Sequence, residues 1–338
     1  LETWTDFSGE RATYWVTRFD FCPEADIPDQ PPLHLFPLRR PVRCYYHPDY
    51  FFPLPESHPF PMDKFWRAEA MIRAEAPASL RILAAEPAPL DDLLRVHTPA
   101  YLEQIRSGSL DSVAALKLGL PAGESLLLRS RLETGGTLLA AEAALADGLA
   151  ANLAGGTHHA FADRGRGRGY CVLNDAAVSI RRLHASRPGL RILIVDTDAH
   201  QGDGTAALFA GDPLVFTYSI HGGRNYPSEK QPSTLDVPLP RRVAGREYLD
   251  QLEATLAPAL AEFRPDLVFW ISGADPHEHD RFGQMRLTDA DMAARDAHVL
   301  TAVRAIGAPL VVLYGGGYNR DREHTARLHA RTVLAAAR

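Results

Sequence analysis

The chain has 338 residues, 46% apolar and 23% charged, enough for one large α/β domain or two ordinary ones without disulfide staples. A net charge of −6 excludes the global basic footprint of a nucleic-acid binder. No apolar run approaches the roughly 18 residues of a membrane span, and no signal peptide is expected. Three cysteines, Cys22, Cys44 and Cys171, lack CxxC spacing, which disfavours a zinc ribbon or redox pair and suits a reducing, cytoplasmic setting.

Residues 1–40 mix aromatics, charge and prolines without a period and read as an N-terminal extension, either irregular or an added strand; residues 41–338 read as one domain. Residues 41–46 (PVRCYY) look like a first sheet strand, 47–61 a Pro- and Phe-rich loop, and 62–76 a helix. Tyr45, Tyr46, Phe51, Phe52 and Phe60 either line an apolar mouth or pack that loop. A strand at 80–83 and a helix at 90–96 follow, then a helix with Thr98 as N-cap and Pro99 at its first position. Residues 107–132 read as a connection, and 134–152 as a small-residue helix able to pack close to a sheet. The glycine- and arginine-rich run after His159 lets backbone approach a ligand, but no GK[ST] follows, so it is not a phosphate loop. Beyond it come a helix at 175–183, a strand at 191–195, a helix from residue 205, and a strand at 214–220. A helix at 246–263 and a strand at 266–271 precede a helix opened by the candidate capping box Thr288/Asp291. A strand at 309–314 and a helix at 323–337 close the chain. Strand–helix alternation predicts an α/β domain, a mostly parallel sheet with helices on both faces.

Chemistry-bearing residues cluster just past the apolar strands, where ligands collect in such sheets. Asp196, Asp198, His200 and Asp203 follow the RILIV strand. If the backbone stays extended, Asp198 and His200 point to one side and can share a metal; the alternative is a solvated Asp/Gly turn. Asp275 follows the strand at 266–271, and Tyr318 follows three glycines after the strand at 309–314.

Six motifs in this order, GGTHHA (155–160), GYCVLND (169–175), DTDAHQGDGT (196–205), FTYSIH (216–221), SGADPHEHDRFG (272–283) and YGGGYN (314–319), resemble the histone deacetylase family of the arginase–deacetylase fold. Asp-Ala-His-Gln, with Gln201 where many members carry a second histidine, is most similar to class IV and bacterial members. The resemblance implies a deacetylase-like catalytic domain over 41–338 and one catalytic zinc on Asp198, His200 and Asp275. Three protein ligands leave a position open for water and a carbonyl oxygen. It implies His159 as general base and acid, His158 as electrostatic partner, Asp196 and Asp203 as the carboxylates behind them, and Tyr318 as oxyanion donor. A potassium ion near Asp196, Asp198, His200, Ser219 and the backbone of Ile220 is implied as well. Gly169, Tyr170, Tyr226 and Phe282 are implied for an acyl-lysine tunnel. The loop through Arg164 to Arg168 is longer than is usual in the family.

The expected function is zinc-dependent removal of an acyl group from lysine side chains of proteins or peptides, with no direct nucleic-acid or membrane partner. A polyamine or other small-amide deacylase on the same fold is the alternative, with Glu229 or Glu56 as candidate gatekeeping acid. A dimanganese ureohydrolase fits less well, because its next aspartate is expected two residues after the histidine and Asp203 lies three after His200. A non-catalytic binding protein fits poorly, since no ligand or tyrosine is lost.

Overall fold

The computed structural model describes residues 2–5, 11–14, 41–75, 78–164 and 169–338. Most of the N-terminal extension, Cys22, Ala76 and positions 165–168 of the arginine-rich loop lie outside the described residues. The backbone forms two compact units, Leu1–Leu35 and Phe36–Arg338. In the first, β1 (Glu2–Thr5) and β2 (Arg11–Tyr14) pair antiparallel, with Glu2 opposite Tyr14.

The second unit is built on eight strands: β3 (Val42–Tyr46), β4 (Leu80–Ala84), β5 (Leu149–Asn152), β6 (Ile192–Asp196), β7 (Val215–Gly222), β8 (Leu235–Leu239), β9 (Leu267–Ser272) and β10 (Leu310–Tyr314). They form one sheet in the order β4-β3-β5-β10-β9-β6-β7-β8. Every pairing is parallel, where the sequence predicted a mostly parallel sheet. β6 (ILIVD), β9 (LVFWIS) and β10 (LVVLY) are buried at every residue. That is why they read as continuous β-branched and aromatic runs rather than alternating ones. Helices α1 (Lys64–Glu75), α8 (Gly245–Phe263), α9 (Asp289–Ala305) and α10 (Arg322–Ala336) pack in succession, α1 on α10, α10 on α9 and α9 on α8. A second group joins α3 (Pro99–Ser107) and α6 (Asp175–Ser186) to the long α5 (Glu124–Asp147), which lies on β3, β5 and β10. No helix among the described residues is long and apolar enough to cross a membrane.

Several boundaries differ from the sequence reading. The supposed connection at 107–132 holds α4 (Ser112–Leu118) and the start of α5. The helix expected to reach residue 152 stops at Asp147: Gly148 adopts φ 91° and caps it, and Leu149–Asn152 turns into β5. The Leu/Ala tract is apolar on every side, so its periodicity marks neither end. α2 (Leu90–Leu93) is shorter than predicted, and α7 (Asp203–Leu208) starts earlier. β8 was not anticipated because Pro238 interrupts it, which an edge strand tolerates. The Thr98 cap accepts from the Tyr101 N–H at 3.3 Å as read.

The capping box of α9 is complete: Thr288 Oγ1 accepts the Asp291 N–H at 3.2 Å, and Asp291 Oδ2 accepts the Thr288 N–H at 2.9 Å. Thr288→Ala is expected to lower stability by about 1 kcal/mol, read as a shift in the urea unfolding midpoint with unchanged slope.

Candidate metal centre and active site

Sheet order makes neighbours of distant segments. β5, β10, β9, β6 and β7 lie side by side, so the loops after their carboxyl ends share one edge. Leaving β6, Thr197 donates its N–H to Ile271 O at 3.0 Å, which fixes the following turn against β9. His200 Nδ1 then lies 3.0 Å from Asp198 Oδ1 and 2.8 Å from Asp275 Oδ2. Asp275 Oδ1 accepts the Ala199 N–H at 2.9 Å, and Asp198 Oδ2 accepts the Gly316 N–H at 2.5 Å. A Cβ on Gly316 would stand 2.3 Å from Asp275 Oδ2, so only glycine lets this backbone close over the acids.

Asp198 and Asp275 are 1% and 0% exposed. Burial and the charge on Asp198 push the Asp275 carboxyl up to about 7. Burial would also raise Asp198, but the His158 and His200 imidazoles hold it well below the usual carboxylate range. Two buried acids share the His200 imidazole, and the unfavourable burial falls on Asp275 rather than Asp198. Their ligand atoms lie within 4.8 Å of one another, and one nitrogen with two carboxylate oxygens is a donor set that zinc accepts. The residues therefore fit the metal that the family implies.

The paired histidines follow β5. Gly156 takes φ 61°, where a Cβ would sit 1.9 Å from Tyr314 O. Asp175, first residue of α6, pins this turn: it accepts the Thr157 N–H at 2.8 Å, the Gly156 N–H at 3.1 Å, and the Thr157 and Thr137 hydroxyls at 2.6 Å each. His158 Nδ1 lies 2.5 Å from Asp196 Oδ2 and His159 Nδ1 2.7 Å from Asp203 Oδ1, with ring centroids 4.2 Å apart. Burial alone would lower His158, yet Asp196 and Asp198 carry it up to about 9. Burial and the charge on His158 press His159 down to about 4, so the inner pair is one charged and one neutral ring.

Tyr318 donates its N–H to Asp280 Oδ2 at 2.6 Å, and its ring lies 5.9 Å from Tyr170 and 5.2 Å from Phe282. Burial, with the charges of Asp198 and Asp275, pushes its phenol well above the ordinary range, so it keeps its proton. Tyr226 stands edge-on to His159 at 5.0 Å. Gly169 backs onto the same ring, where a Cβ would meet His159 at 2.4 Å. Ser219 pairs with Asp196 across the β6–β7 ladder and shares a 3.0 Å hydrogen bond with His221 Nδ1, while Ile220 is fully buried.

Of the aromatics considered for the mouth, Phe60 lines the cavity, 5.0 Å from Tyr170; Tyr45 and Tyr46 belong to β3, and Phe51 is 44% exposed. Sequence reasoning missed the cavity's inner wall of Lys64, Phe65, Arg129 and Glu133. Lys64 donates to Gly315 O at 2.9 Å beneath the Tyr318 ring, and burial lowers its pKa to about 8. Arg129 reaches Glu133 at 2.6 Å. The i,i+4 spacing of that pair was a usable signal, hidden because the segment was taken for a connection.

An all-parallel α/β sheet that gathers two carboxylates, three imidazoles and a phenol at its carboxyl edge defines an arginase–deacetylase fold. Residues 58–335 match the histone deacetylase domain, and the chain belongs to that family. An uncharacterised protein of Picosynechococcus sp. is 41% identical over 292 residues, spanning 86% of this chain and 97% of its own. The acetoin utilization protein AcuC of Staphylococcus aureus is 30% identical over 288 residues, 78% of this chain and 73% of that one. Histone deacetylase 2 of Arabidopsis thaliana is 29% identical over 286 residues, 80% and 72% of the two chains. The crystal structure of an HDAC homologue complexed with SAHA shares the fold, with a TM-score of 0.73 at 24% identity, covering 89% of this chain and 85% of that one.

Replacing Asp175 strands the Gly156 and Thr157 N–H groups of the histidine turn and the Thr137 hydroxyl of α5, while the Thr157 hydroxyl keeps Leu173 O. Asp175→Ala is expected to cost roughly 3 kcal/mol or more of stability, measured by urea unfolding, with Asp175→Asn losing less because one oxygen still accepts.

Proposed function

We propose that residues 41–338 form a zinc-dependent amidohydrolase that removes acyl groups from lysine side chains of proteins or peptides. The observation that carries this reading is the convergence of Asp198, His200 and Asp275 beside two carboxylate-backed imidazoles and the Tyr318 phenol. When bound by Asp198, His200 and Asp275, zinc would polarise the substrate carbonyl and acidify a nearby water.

The protein's own groups do the rest. Asp203 accepts from His159 Nδ1–H, which leaves Nε2 free of a proton at neutral pH. His159 takes the proton of the attacking water and passes it to the departing amine. Tyr318, kept protonated, donates to the oxygen on which negative charge develops. His158, backed by Asp196, sets a positive charge beside that oxygen. Tyr170, Tyr226 and Phe282 grip the alkyl chain, and Gly169 can accept the substrate amide N–H. Potassium near Asp196, Asp198, His200, Ser219 and the Ile220 carbonyl belongs to the same reading, as does a cytoplasmic setting for buried free Cys44 and Cys171. A gatekeeping acid at the tunnel mouth, Glu229 or Glu56, would favour a polyamine over lysine.

Tyr318→Phe is expected to lower kcat by about 10²–10³ while zinc content stays at the wild-type level. Equal turnover of acetyl-lysine peptide by both proteins overturns the assignment. Faster turnover of acetyl-polyamine than of acetyl- or longer acyl-lysine peptides replaces the lysine reading with the polyamine one.

A further inference from the structure

A second group of metal-type donors lies outside the cavity. His277 is two residues beyond Asp275, Asp289 opens α9, and His324 lies in the first turn of α10. His277 Nε2 is 3.1 Å and His324 Nε2 2.8 Å from the same atom, Asp289 Oδ1. The ligand atoms of all three lie within 4.8 Å of one another, and the two imidazole centroids are 4.5 Å apart. Adjacent donors around a tetrahedral ion bound at about 2.0–2.1 Å are about 3.3 Å apart. A small contraction or expansion of this triangle therefore accepts one.

We propose that His277, Asp289 and His324 form a second divalent transition-metal site, which ties the loop after β9 to α10. Two imidazoles with one carboxylate oxygen suit zinc, cobalt, nickel or copper; magnesium and calcium call for more oxygens. The ion replaces the two Nε2 protons now shared with Asp289. His277 Nδ1 accepts the His279 N–H at 3.3 Å, and that weak bond opens when the ring proton moves from Nε2 to Nδ1. Arg331 lies 3.6 Å from Asp289 Oδ2, the other oxygen, and leaves Oδ1 facing the imidazoles. The Asp289 side chain is 49% exposed while that of His277 is 2% exposed, so the site has a solvent entrance and a fixed inner ligand. Water completes the shell at the open side, where the exposed His279 ring stands 5.2 Å from His277.

The site shares no ligand with Asp198, His200 and Asp275, so the two can be counted separately. Metal-stripped full-length protein is dialysed against Co²⁺, and bound cobalt per chain is measured by elemental analysis. Two Co²⁺ are expected for wild type, one each for His324→Ala and Asp289→Asn, and one for Asp198→Asn that disappears when His324→Ala is added. Circular dichroism checks folding, and Asp289→Asn, on the rim, stands in if His324→Ala does not fold. A wild type with one Co²⁺ that Asp198→Asn abolishes overturns the second site. A wild type with one Co²⁺ that survives Asp198→Asn and vanishes in His324→Ala upholds it and overturns the first. Two Co²⁺ retained by both rim variants also overturns it.

Discussion

The crowding of Asp198 and Asp275 is the constraint on which the site depends. At about 4 Å, like charges repel by roughly 4 kcal/mol even at an effective dielectric of about 20, and neither acid reaches solvent. The imidazoles of His200 and His158 offset part of this, and no lysine or arginine pairs directly with either acid among the described residues. Two buried cations instead grip the backbone of the glycine turns: Lys64 donates to Gly315 O and Arg295 to Gly273 O. The acids are thus held by their loops and by backbone N–H groups, and their remaining lone pairs face one another and His200. With Lys64 on a carbonyl and Arg295 divided between Gly273 O and Asp296, neither side chain competes for the carboxylates of the acid pair.

The order of the strands turns this local problem into a site. β6 supplies Asp198 and His200, β9 supplies Asp275, and β10 supplies Gly316 and Tyr318; these three strands are consecutive in the sheet though not in the chain. β5, next to β10, brings the paired histidines, and Asp196 and Asp203 of the β6 loop reach across to back them. One segment therefore serves both halves, with Asp198 and His200 against Asp275 on one side and the carboxylates of Asp196 and Asp203 behind the paired histidines on the other. That explains why four acidic or imidazole groups crowd into eight residues from Asp196 to Asp203.

Much of this was legible in the sequence because the core strands are buried on both faces and so read as unbroken apolar runs. The ionisable residues stand just past their ends. The capping box at Thr288/Asp291 and the cap at Thr98 were legible because they are local hydrogen-bonding devices. What failed was long-range or masked by composition. The α5–β5 boundary sits in a Leu/Ala-rich tract whose composition hardly changes across it, and Gly148 marks it. Lys64, Arg129 and Glu133 are ordinary surface types, and their burial depends on α5 and α1 closing together behind the histidines. Asp280 carried no assignment from the sequence, and its carboxylate takes N–H groups from Phe282, Gly283 and Tyr318.

Asp280 also shows why two motifs read separately behave as one piece. It lies on the loop that carries Asp275, and it holds the backbone of Tyr318 on the loop after β10; a bridge between Asp280 and Asn319 repeats the link. Ala274 donates to Gly316 O at 2.7 Å, a third tie between the same loops. A shift of Asp275 must therefore carry Tyr318 with it. The geometry of the acid pair and the aim of the phenol are set by a single rigid unit, because flexible joints between a charged centre and its hydrogen-bond donor would give up the preorganisation that makes such a donor effective.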